Sequence, residues 1–194
     1  MVHVHERQDR YEVRLAGTGG QGMILAGIIL AEAAAIYDGN NAVQTQSYGP
    51  EARGGSSKSE VIISKGPIYY PKVTAADLLL CMSQEACDKY YYDLMRDGLL
   101  ILDSKYVKRA PSSRAISTPI SQIAVDVTGR EITAAMVALG MICGLSGIVS
   151  ESALEKAIRA RVPPGTEEMN LKAMRAGLAE AKRLQALSSS AQSG

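Results

Sequence analysis

The stretch that most constrains the fold of this chain runs from Val13 to Tyr37, VRLAGTGGQGMILAGIILAEAAAIY. A short apolar run stops at Gly17, and a glycine-rich turn then leads into an apolar segment of helical length. This order predicts a strand over 11–16, a tight turn, and a helix over about 20–37. Glycine suits the turn because it adopts positive φ and lets backbone N–H groups approach a ligand.

The glycine turn is also a candidate anion site. Gly17, Gly19 and Gly22 satisfy the pattern G-x-G-x-x-G, and Gly20 is an additional glycine. A helix that begins at such a turn directs partial positive charge toward it, which attracts a phosphate or a carboxylate. The pattern alone is a weak signal, because glycines required only for packing satisfy it without a ligand. Ligand binding and a purely structural role therefore both stay open.

The segment after the first helix argues against a dinucleotide cofactor. The sequence predicts a turn over 38–41 and a second strand over 42–47, which would complete a β-α-β unit with a right-handed crossover. An NAD site requires an acidic residue at the end of that second strand to bind the ribose. The chain has only neutral side chains there: Gln44, Thr45, Gln46 and Ser47.

A second candidate segment is SYGPEARGGSSKSE, from Ser47 to Glu60. Its Gly-Pro and Gly-Gly pairs predict a shaped loop. Arg53 is able to bind a phosphate or carboxylate with two parallel hydrogen bonds, and Glu51 is able to hold that arginine in place. The alternative is that Arg53 and Glu51 only pair with each other on the surface, which is common. The spacing does not decide between these interpretations.

The remaining pattern predicts an α/β protein: a single Rossmann-like domain with a mostly parallel sheet flanked by helices, plus a C-terminal helical portion. Further strands are expected over 61–64, 77–82, 99–102 and 115–118, and helices from Ser83, over 119–125, over 131–145, over 150–161 and after 165. The 131–145 helix is apolar on almost every side, which fits either an internal core or a partner interface. We expect a flexible lead-in over 1–10, the domain over 11–187 and a disordered tail over 188–194.

Composition and charge narrow the class of protein. A formal net charge of +1 gives no basic field for nucleic acid. The longest apolar run, Met23–Ile36, is shorter than the roughly 20 residues that span a bilayer. The N-terminus has no apolar signal segment, and the three cysteines fit a reducing compartment. These features predict a cytoplasmic protein that contacts neither nucleic acid nor membrane.

No self-sufficient active site is visible in the sequence. The only histidines, His3 and His5, lie in the lead-in, and there is no P-loop, H-E-x-x-H motif or four-cysteine set for an iron–sulfur cluster. We therefore assign no catalytic residue and no metal ligand. An anion-binding turn and an arginine loop without catalytic groups are typical of a subunit that completes the site of another chain.

With these residues considered, the chain resembles the gamma subunits of 2-oxoacid:ferredoxin oxidoreductases over residues 12–180. The resemblance rests on GTGGQG at 17–22 and, most specifically, on SYGPEARGG at 47–55. Further matches are Pro67-Ile68 with Tyr70-Pro71, Ala76-Asp77, Gly129-Arg130-Glu131-Ile132, Asn170 and Gly177. The form of the loop is similar to that of the 2-oxoglutarate type, and branched-chain and pyruvate types are the alternatives.

The resemblance implies a place in a complex that converts a 2-oxoacid and coenzyme A to acyl-CoA and CO2 while it reduces ferredoxin. It implies alpha and beta partner subunits and a ferredoxin-like delta subunit in some complexes, with ferredoxin reached through the complex. Thiamine diphosphate, Mg and the iron–sulfur clusters are expected on the partners, and coenzyme A is the candidate ligand of this chain. The residues implied in coenzyme A binding or the subunit interface are Gly17, Gly19, Gly20, Gln21, Gly22, Ser47, Tyr48, Glu51, Arg53, Gly54 and Gly55.

Two other functions are consistent with the residues alone. One is a freestanding nucleotide- or CoA-binding regulatory module without enzyme partners. The other is a structural scaffold whose glycines serve only helix–strand packing. A structural scaffold would not bind coenzyme A as an isolated chain. A freestanding module would not co-purify with partner chains.

Overall fold

The structure, a computed structural model, describes residues 9–48 and 56–191, which form a six-stranded sheet covered by helices. The side chains of Tyr48 and Ala191 are outside this description. The strands are β1 Arg10–Thr18, β2 Asn41–Tyr48, β3 Ser56–Ser64, β4 Ala76–Cys81, β5 Leu94–Asp103 and β6 Ile116–Thr118. The α/β class is confirmed, and each predicted strand is present with longer or shifted ends.

The sheet is mixed, in the order β2-β3-β1-β4-β5-β6. The pairs β1–β4, β4–β5 and β5–β6 are parallel, whereas β3 is antiparallel to both of its neighbours. The prediction of a mostly parallel sheet is therefore confirmed. The β1-α1-β2 unit was predicted without an inserted strand, and there the prediction was incomplete: β2 runs parallel to β1, but β3 turns back and lies between them.

The sequence underestimated β3 because the first half of this strand is polar. Only 61–64 was predicted as strand, and Ser56–Glu60 was assigned to the preceding loop. In the fold these polar side chains have partners, as Ser59 accepts a hydrogen bond from Gln44 Nε2 at 2.8 Å. A strand whose polar groups are satisfied by its neighbours does not show the alternating pattern that identifies strands from sequence.

Helices lie on both faces of the sheet. They are α1 Met23–Glu32, which continues as a π-helical turn over Ala33–Tyr37, α2 Gln84–Tyr90, α3 Ile120–Thr128, α4 Ala134–Ser146, α5 Glu151–Arg161 and α6 Glu167–Ala191. Short 3-10 turns cover Tyr91–Asp93 and Glu131–Thr133. Ser83 and Ser150 cap α2 and α5, because each hydroxyl accepts a hydrogen bond from the backbone N–H three residues on.

The main core lies on the face of β1 that carries Val13 and Leu15, where α1 and the C-terminal helices pack. Residues 134–143 of α4 are all buried, and α4 packs along α6. This helix therefore fills an internal core, which was one of the two locations its sequence allowed. A smaller apolar cluster around Leu79, Cys87 and Leu102 lies on the opposite face, under α2.

The structure differs from the sequence prediction at the C-terminus. A disordered tail was expected from Ser188, but α6 continues to Ala191. The hydroxyls of Ser188, Ser189 and Ser190 donate to the carbonyls of Leu184, Gln185 and Leu187, at 2.8–3.0 Å. Serine has only modest intrinsic helix propensity. Here the serine hydroxyls bond to backbone carbonyls of the preceding turn, and the helix continues through them. Residues 192–194 lie outside the described residues.

No helix within residues 9–48 and 56–191 is both long enough and apolar enough to cross a membrane.

Candidate functional site

The glycine turn lies at the topological switch point of the sheet. From β1 the chain passes through α1 toward the β2 edge, and from β4 it passes through α2 toward β5. Helices α1 and α2 pack on opposite faces, so the connections that follow β1 and β4 leave the sheet toward opposite faces, which in such folds forms a crevice. In open α/β sheets this crevice is the usual place for a ligand.

The backbone of the turn requires glycine at two positions. Gly20 and Gly22 have φ of 92° and 78°, in the left-handed region that other residues rarely adopt. Gly22 directly precedes α1, and no side chain caps this helix. A Cβ on Gly22 would lie 3.1 Å from the Cβ of Ala135, so the first turn of α4 packs directly against it.

The side chain of Gln21 connects the ends of β1 and β4 by two hydrogen bonds. Its Oε1 accepts a hydrogen bond from the backbone N–H of Thr18 at 2.7 Å, and its Nε2 donates to the carbonyl of Met82 at 3.0 Å. The amide thus joins the end of β1 to the residue after β4, across the switch point. A Cβ on Gly17 would lie 2.4 Å from this Oε1, so Gly17 makes room for the bridge.

We expect the Gln21 bridge to contribute measurably to the free energy of unfolding. Replacing Gln21 with alanine removes both hydrogen bonds and is expected to lower the free energy of unfolding by about 2 kcal/mol, at roughly 1 kcal/mol for each bond. Urea denaturation measures this loss. The matched control is Gln122→Ala on the exposed face of α3, where one amide bond to Asp126 is lost and a few tenths of a kcal/mol are expected. Equal losses in both variants would contradict a bridging role for Gln21.

The two segments singled out in the sequence meet at this edge of the sheet. Tyr48 pairs with Ser57 where β2 ends, and Thr18 pairs with Ser56 where β1 ends. Ser57 Oγ also donates to the carbonyl of Thr18 at 3.4 Å. The Ser56 end of the loop is therefore next to the glycine turn, and the Tyr48 end lies one strand further away at the same edge of the sheet. The loop residues Glu51, Arg53, Gly54 and Gly55 lie outside the described residues.

Cations that the sequence did not mark out line the same region. Lys89 Nζ, from α2, donates to Ser56 Oγ at 3.4 Å. The ring of Tyr90 has three cations over it, with Arg14 Cζ at 5.2 Å, Lys58 Nζ at 5.5 Å and Lys89 Nζ at 5.3 Å from its centroid. Lys58 and Lys89 stand in polar stretches that resemble solvated surface, so only the fold reveals that they converge.

Two of these cations, Arg14 and Lys58, also contact a buried carboxylate in the middle of the sheet. Arg14 of β1 is directly opposite Glu60 of β3, with Nη2 at 2.7 Å from the carboxylate. Lys58 Nζ lies 2.9 Å from the same carboxylate, and Asp93 accepts a hydrogen bond from Arg14. These contacts explain how two charged residues are accommodated on central strands, where unpaired charges are costly.

A second charged group follows the carboxyl end of β5. Glu131 accepts a hydrogen bond from Lys105 Nζ at 2.7 Å and another from the hydroxyl of Tyr106. The hydrogen bond from Lys105, followed by that from Tyr106, holds the pKa of Glu131 below its ordinary value. Glu131 precedes α4, which places this ionised carboxylate on the same side of the sheet as the glycine turn.

The topology gives a further argument against a dinucleotide at the turn. In a dinucleotide fold the strand that carries the ribose-binding acid is adjacent to β1. Here β3 separates β2 from β1. At about 4.8 Å between neighbouring strands, the end of β2 lies roughly 10 Å from the end of β1. The ribose contact would therefore be out of place even if Gln46 or Ser47 were acidic.

No group of three or more His, Cys, Asp or Glu side chains within the described part of the chain is arranged to hold a metal ion. His3 and His5 fall outside that part.

The fold and the site together define a doubly wound α/β domain with a glycine turn and converging cations at its switch point. The sequence profile of the pyruvate ferredoxin/flavodoxin oxidoreductase family matches residues 12–180 of this domain. The chain belongs to that family.

Named relatives and a solved structure agree with this assignment. The 2-oxoglutarate synthase subunit KorC of Methanocaldococcus jannaschii is 50% identical over 179 residues, which cover 90% of this chain and 96% of KorC. The ketoisovalerate oxidoreductase subunit VorA of Methanothermobacter marburgensis is 34% identical over 85% of this chain and 35% of VorA. The structure of a keto/oxoacid ferredoxin oxidoreductase gamma subunit from Geobacter sulfurreducens superposes with a TM-score of 0.80, at 51% identity over 89% of this chain and 99% of that subunit.

Proposed function

We propose that the chain is the gamma subunit of a 2-oxoglutarate:ferredoxin oxidoreductase, which supports CoA-dependent oxidative decarboxylation of 2-oxoglutarate with reduction of ferredoxin. The observation that carries the proposal is the end-to-end match to KorC at 50% identity. The match to VorA, named for ketoisovalerate, is weaker at 34% and spans about a third of that protein. A freestanding regulatory module is not favoured, because the relatives matched over nearly their full length are named as subunits.

In this proposal the chemistry is carried by partner chains in the cytoplasm. Alpha and beta subunits supply thiamine diphosphate and Mg, and iron–sulfur clusters sit on the partners, including a ferredoxin-like delta subunit where one is present. The three cysteines of this chain support that division of labour: all are buried, and Cys143 lies in a different core cluster from Cys81 and Cys87. They cannot provide the four thiolates that a cluster requires.

Reconstitution with and without this chain tests the proposal. The remaining subunits, purified separately, are assayed for CoA-dependent 2-oxoglutarate oxidation with ferredoxin as acceptor. We expect activity only when this chain is added, and we expect 2-oxoglutarate to exceed pyruvate and 2-oxoisovalerate in kcat/KM. Equal activity without the chain would refute its role as a required subunit. A preference for another 2-oxoacid would keep the role and change the substrate.

We further propose that the switch-point turn and the 47–55 loop contact the phosphates of coenzyme A. The supporting observations are the first turn of α1, which no side chain caps, the start of β3 beside Thr18, and the cations Lys58 and Lys89. Backbone N–H groups at a helix N-terminus and nearby cations are the chemistry that binds phosphate groups in proteins. In this proposal Arg53 and Glu51 act together, Glu51 orienting the guanidinium.

The Arg53 proposal makes a kinetic prediction. Arg53→Ala is expected to raise the KM for coenzyme A by about tenfold or more, because a charge-assisted hydrogen bond contributes roughly 1.5–3 kcal/mol. Steady-state kinetics of the assembled complex at saturating 2-oxoglutarate measures the change. The control is Arg114→Ala. Arg114 is exposed and precedes the first residue of β6, at the opposite edge of the sheet from the turn, so this change should leave the KM unaltered. An unchanged KM for Arg53→Ala with weakened assembly would make the loop an interface element.

A further inference from the structure

The strand at one edge of the sheet, β2, has a side that no other strand covers. β2 pairs with β3 on its inner side, and no strand of residues 9–48 and 56–191 pairs with it on its outer side. In an edge strand alternate N–H and C=O groups point away from the sheet, where they are able to bind another strand. Within the described part of the chain, β2 packs mainly against β3, α1 and the π-helical turn after α1, which leaves its outer side open.

The sequence of β2 lacks the features that usually protect an edge strand. Natural edge strands avoid pairing because they are short or carry charged side chains or proline. β2 has eight residues, NAVQTQSY, with neither a charge nor a proline among them. At the opposite edge of the same sheet, β6 has three residues and lies between Arg114 and Pro119. The protection is present at one edge and missing at the other, which indicates that β2 pairs with a further strand.

The neutral side chains of β2 indicate which strand it pairs with. When a strand pairs with a second copy of itself, its side chains lie opposite or diagonal to side chains of the same short segment. A charged residue in β2 would then approach its own copy, whereas the central residues Gln44, Thr45 and Gln46 bring no like charges together. Their amide and hydroxyl groups are both donors and acceptors, so they are able to hydrogen-bond to their own kind. This self-complementarity favours a second copy of the chain over an acidic or a basic partner.

A two-fold axis perpendicular to the sheet satisfies this pairing. Such an axis makes the two β2 strands antiparallel and keeps the same face of both sheets on the same side, so the two six-stranded sheets become one. The α1 side of each copy then lies beside that of the other. Ile36, on the π-helical turn that packs against β2, is 65% exposed in the single chain. Burial of this apolar side chain beside the second copy adds to the backbone hydrogen bonds of the junction.

We propose that two copies of this chain pair through their β2 strands and form an antiparallel, two-fold dimer. The contact is made by residues that the proposed function does not use, because Asn41–Gln46 precede the 47–55 loop. The glycine turn follows β1, which lies two strands inward from β2, so the second copy does not cover it. The dimer and the role of the turn are therefore tested by separate experiments.

Two measurements on the unaltered full chain test the proposal. Analytical ultracentrifugation is expected to show monomers and dimers without larger species, because a two-fold contact closes on itself. Hydrogen exchange of alternate β2 amides is expected to slow by about tenfold as the concentration rises through the dimerisation range, while exchange in β6 stays constant. A chain that stays monomeric overturns the proposal. If its β2 amides slow only when another subunit is added, the edge belongs to that subunit and the proposal is likewise overturned.

Charged variants of β2 then locate the junction. Thr45→Lys/Gln46→Lys brings like charges together in the dimer and should raise its dissociation constant by about tenfold or more, as should Thr45→Glu/Gln46→Glu. An equimolar mixture of the two variants should recover the affinity, because lysines then face glutamates. Ser117→Lys, at an exposed position of β6, is the control and should leave the dissociation constant unchanged. A dimer that tolerates both charged variants, or a mixture that does not recover, overturns the proposal, and the exchange measurement on the unaltered chain stands whether or not a variant folds.

Discussion

Replacing Arg14 with methionine is expected to lower the free energy of unfolding by about 3–5 kcal/mol, the cost of leaving a buried charge without its partner. The Arg14 side chain is 4% exposed, and the Glu60 carboxylate that it neutralises is 11% exposed. After the substitution only Lys58, which is itself partly exposed, remains beside that carboxylate. The stacking of the guanidinium on Tyr90 is lost as well. Urea denaturation followed by two spectroscopic probes measures the loss.

Two further variants make this result specific. Arg114→Met removes a pair whose arginine is 68% exposed, at 3.4 Å from Asp97, and should change stability by no more than about 0.5 kcal/mol. The double variant Arg14→Met/Glu60→Leu removes both buried charges and should recover most of the loss, because an apolar pair replaces an ionic one. A double variant no more stable than Arg14→Met alone would show that Glu60 is not the residue left unpaired.

The local features of the fold were readable from the sequence because each depends on neighbouring residues. The glycine turn, the helix that ends at Tyr37 and the positive φ of Gly39 follow from short-range backbone preferences. Ser83 was predicted to start a helix and does cap α2. The spacing of three or four residues between Leu171, Met174, Leu178 and Ala181 puts them on one side of α6, and all four are buried.

What the sequence did not reveal depends on strands that are distant in the chain. The insertion of β3 between β1 and β2 is a pairing choice, and the polar residues Ser56–Glu60 hide it until Arg14 and Gln44 are known to face them. The start of β5 was missed because Arg96 and Asp97 are exposed there and Gly98 follows. The bridge from Gln21 to Met82 spans 61 residues and has no local signature.

The same distinction between local features and contacts of distant segments applies to the candidate site. The sequence located the turn at 17–22 and the loop at 47–55, and the fold places both at the same edge of the sheet, with the Ser56 end of the loop beside the turn. The sequence assigned Gln21 to ligand or partner contact, which stays a prediction, and the structure shows that its amide bridges backbone groups of Thr18 and Met82. An anion bound at the turn would therefore approach the exposed residues Gly19 and Gly20 and leave this bridge in place.

The contact between α4 and α6 gives the second large expected effect. Gly140 and Gly177 let these helices touch backbone to backbone: a Cβ on Gly177 would lie 2.0 Å from the carbonyl oxygen of Val137, and one on Gly140 would lie 2.0 Å from that of Met174. Neither oxygen can turn aside as a flexible side chain can, so a methyl group must push the helices apart. Gly177→Ala is therefore expected to cost about 2–3 kcal/mol of unfolding free energy by overpacking, measured by urea denaturation.

Helix propensity opposes the overpacking cost of Gly177→Ala, so the sign of the change in unfolding free energy distinguishes the two effects. Alanine is favoured over glycine in a helix by about 1 kcal/mol, so a loosely packed α6 would be stabilised by the change. Gly66→Ala, at a position with open space around it and no positive φ, is the control and should stay within about 0.5 kcal/mol. Stabilisation by Gly177→Ala would refute the close contact. A loss shared by Gly140→Ala would confirm it. Because Ala135 of α4 lies next to Gly22, a displacement of α4 also reaches the switch-point turn.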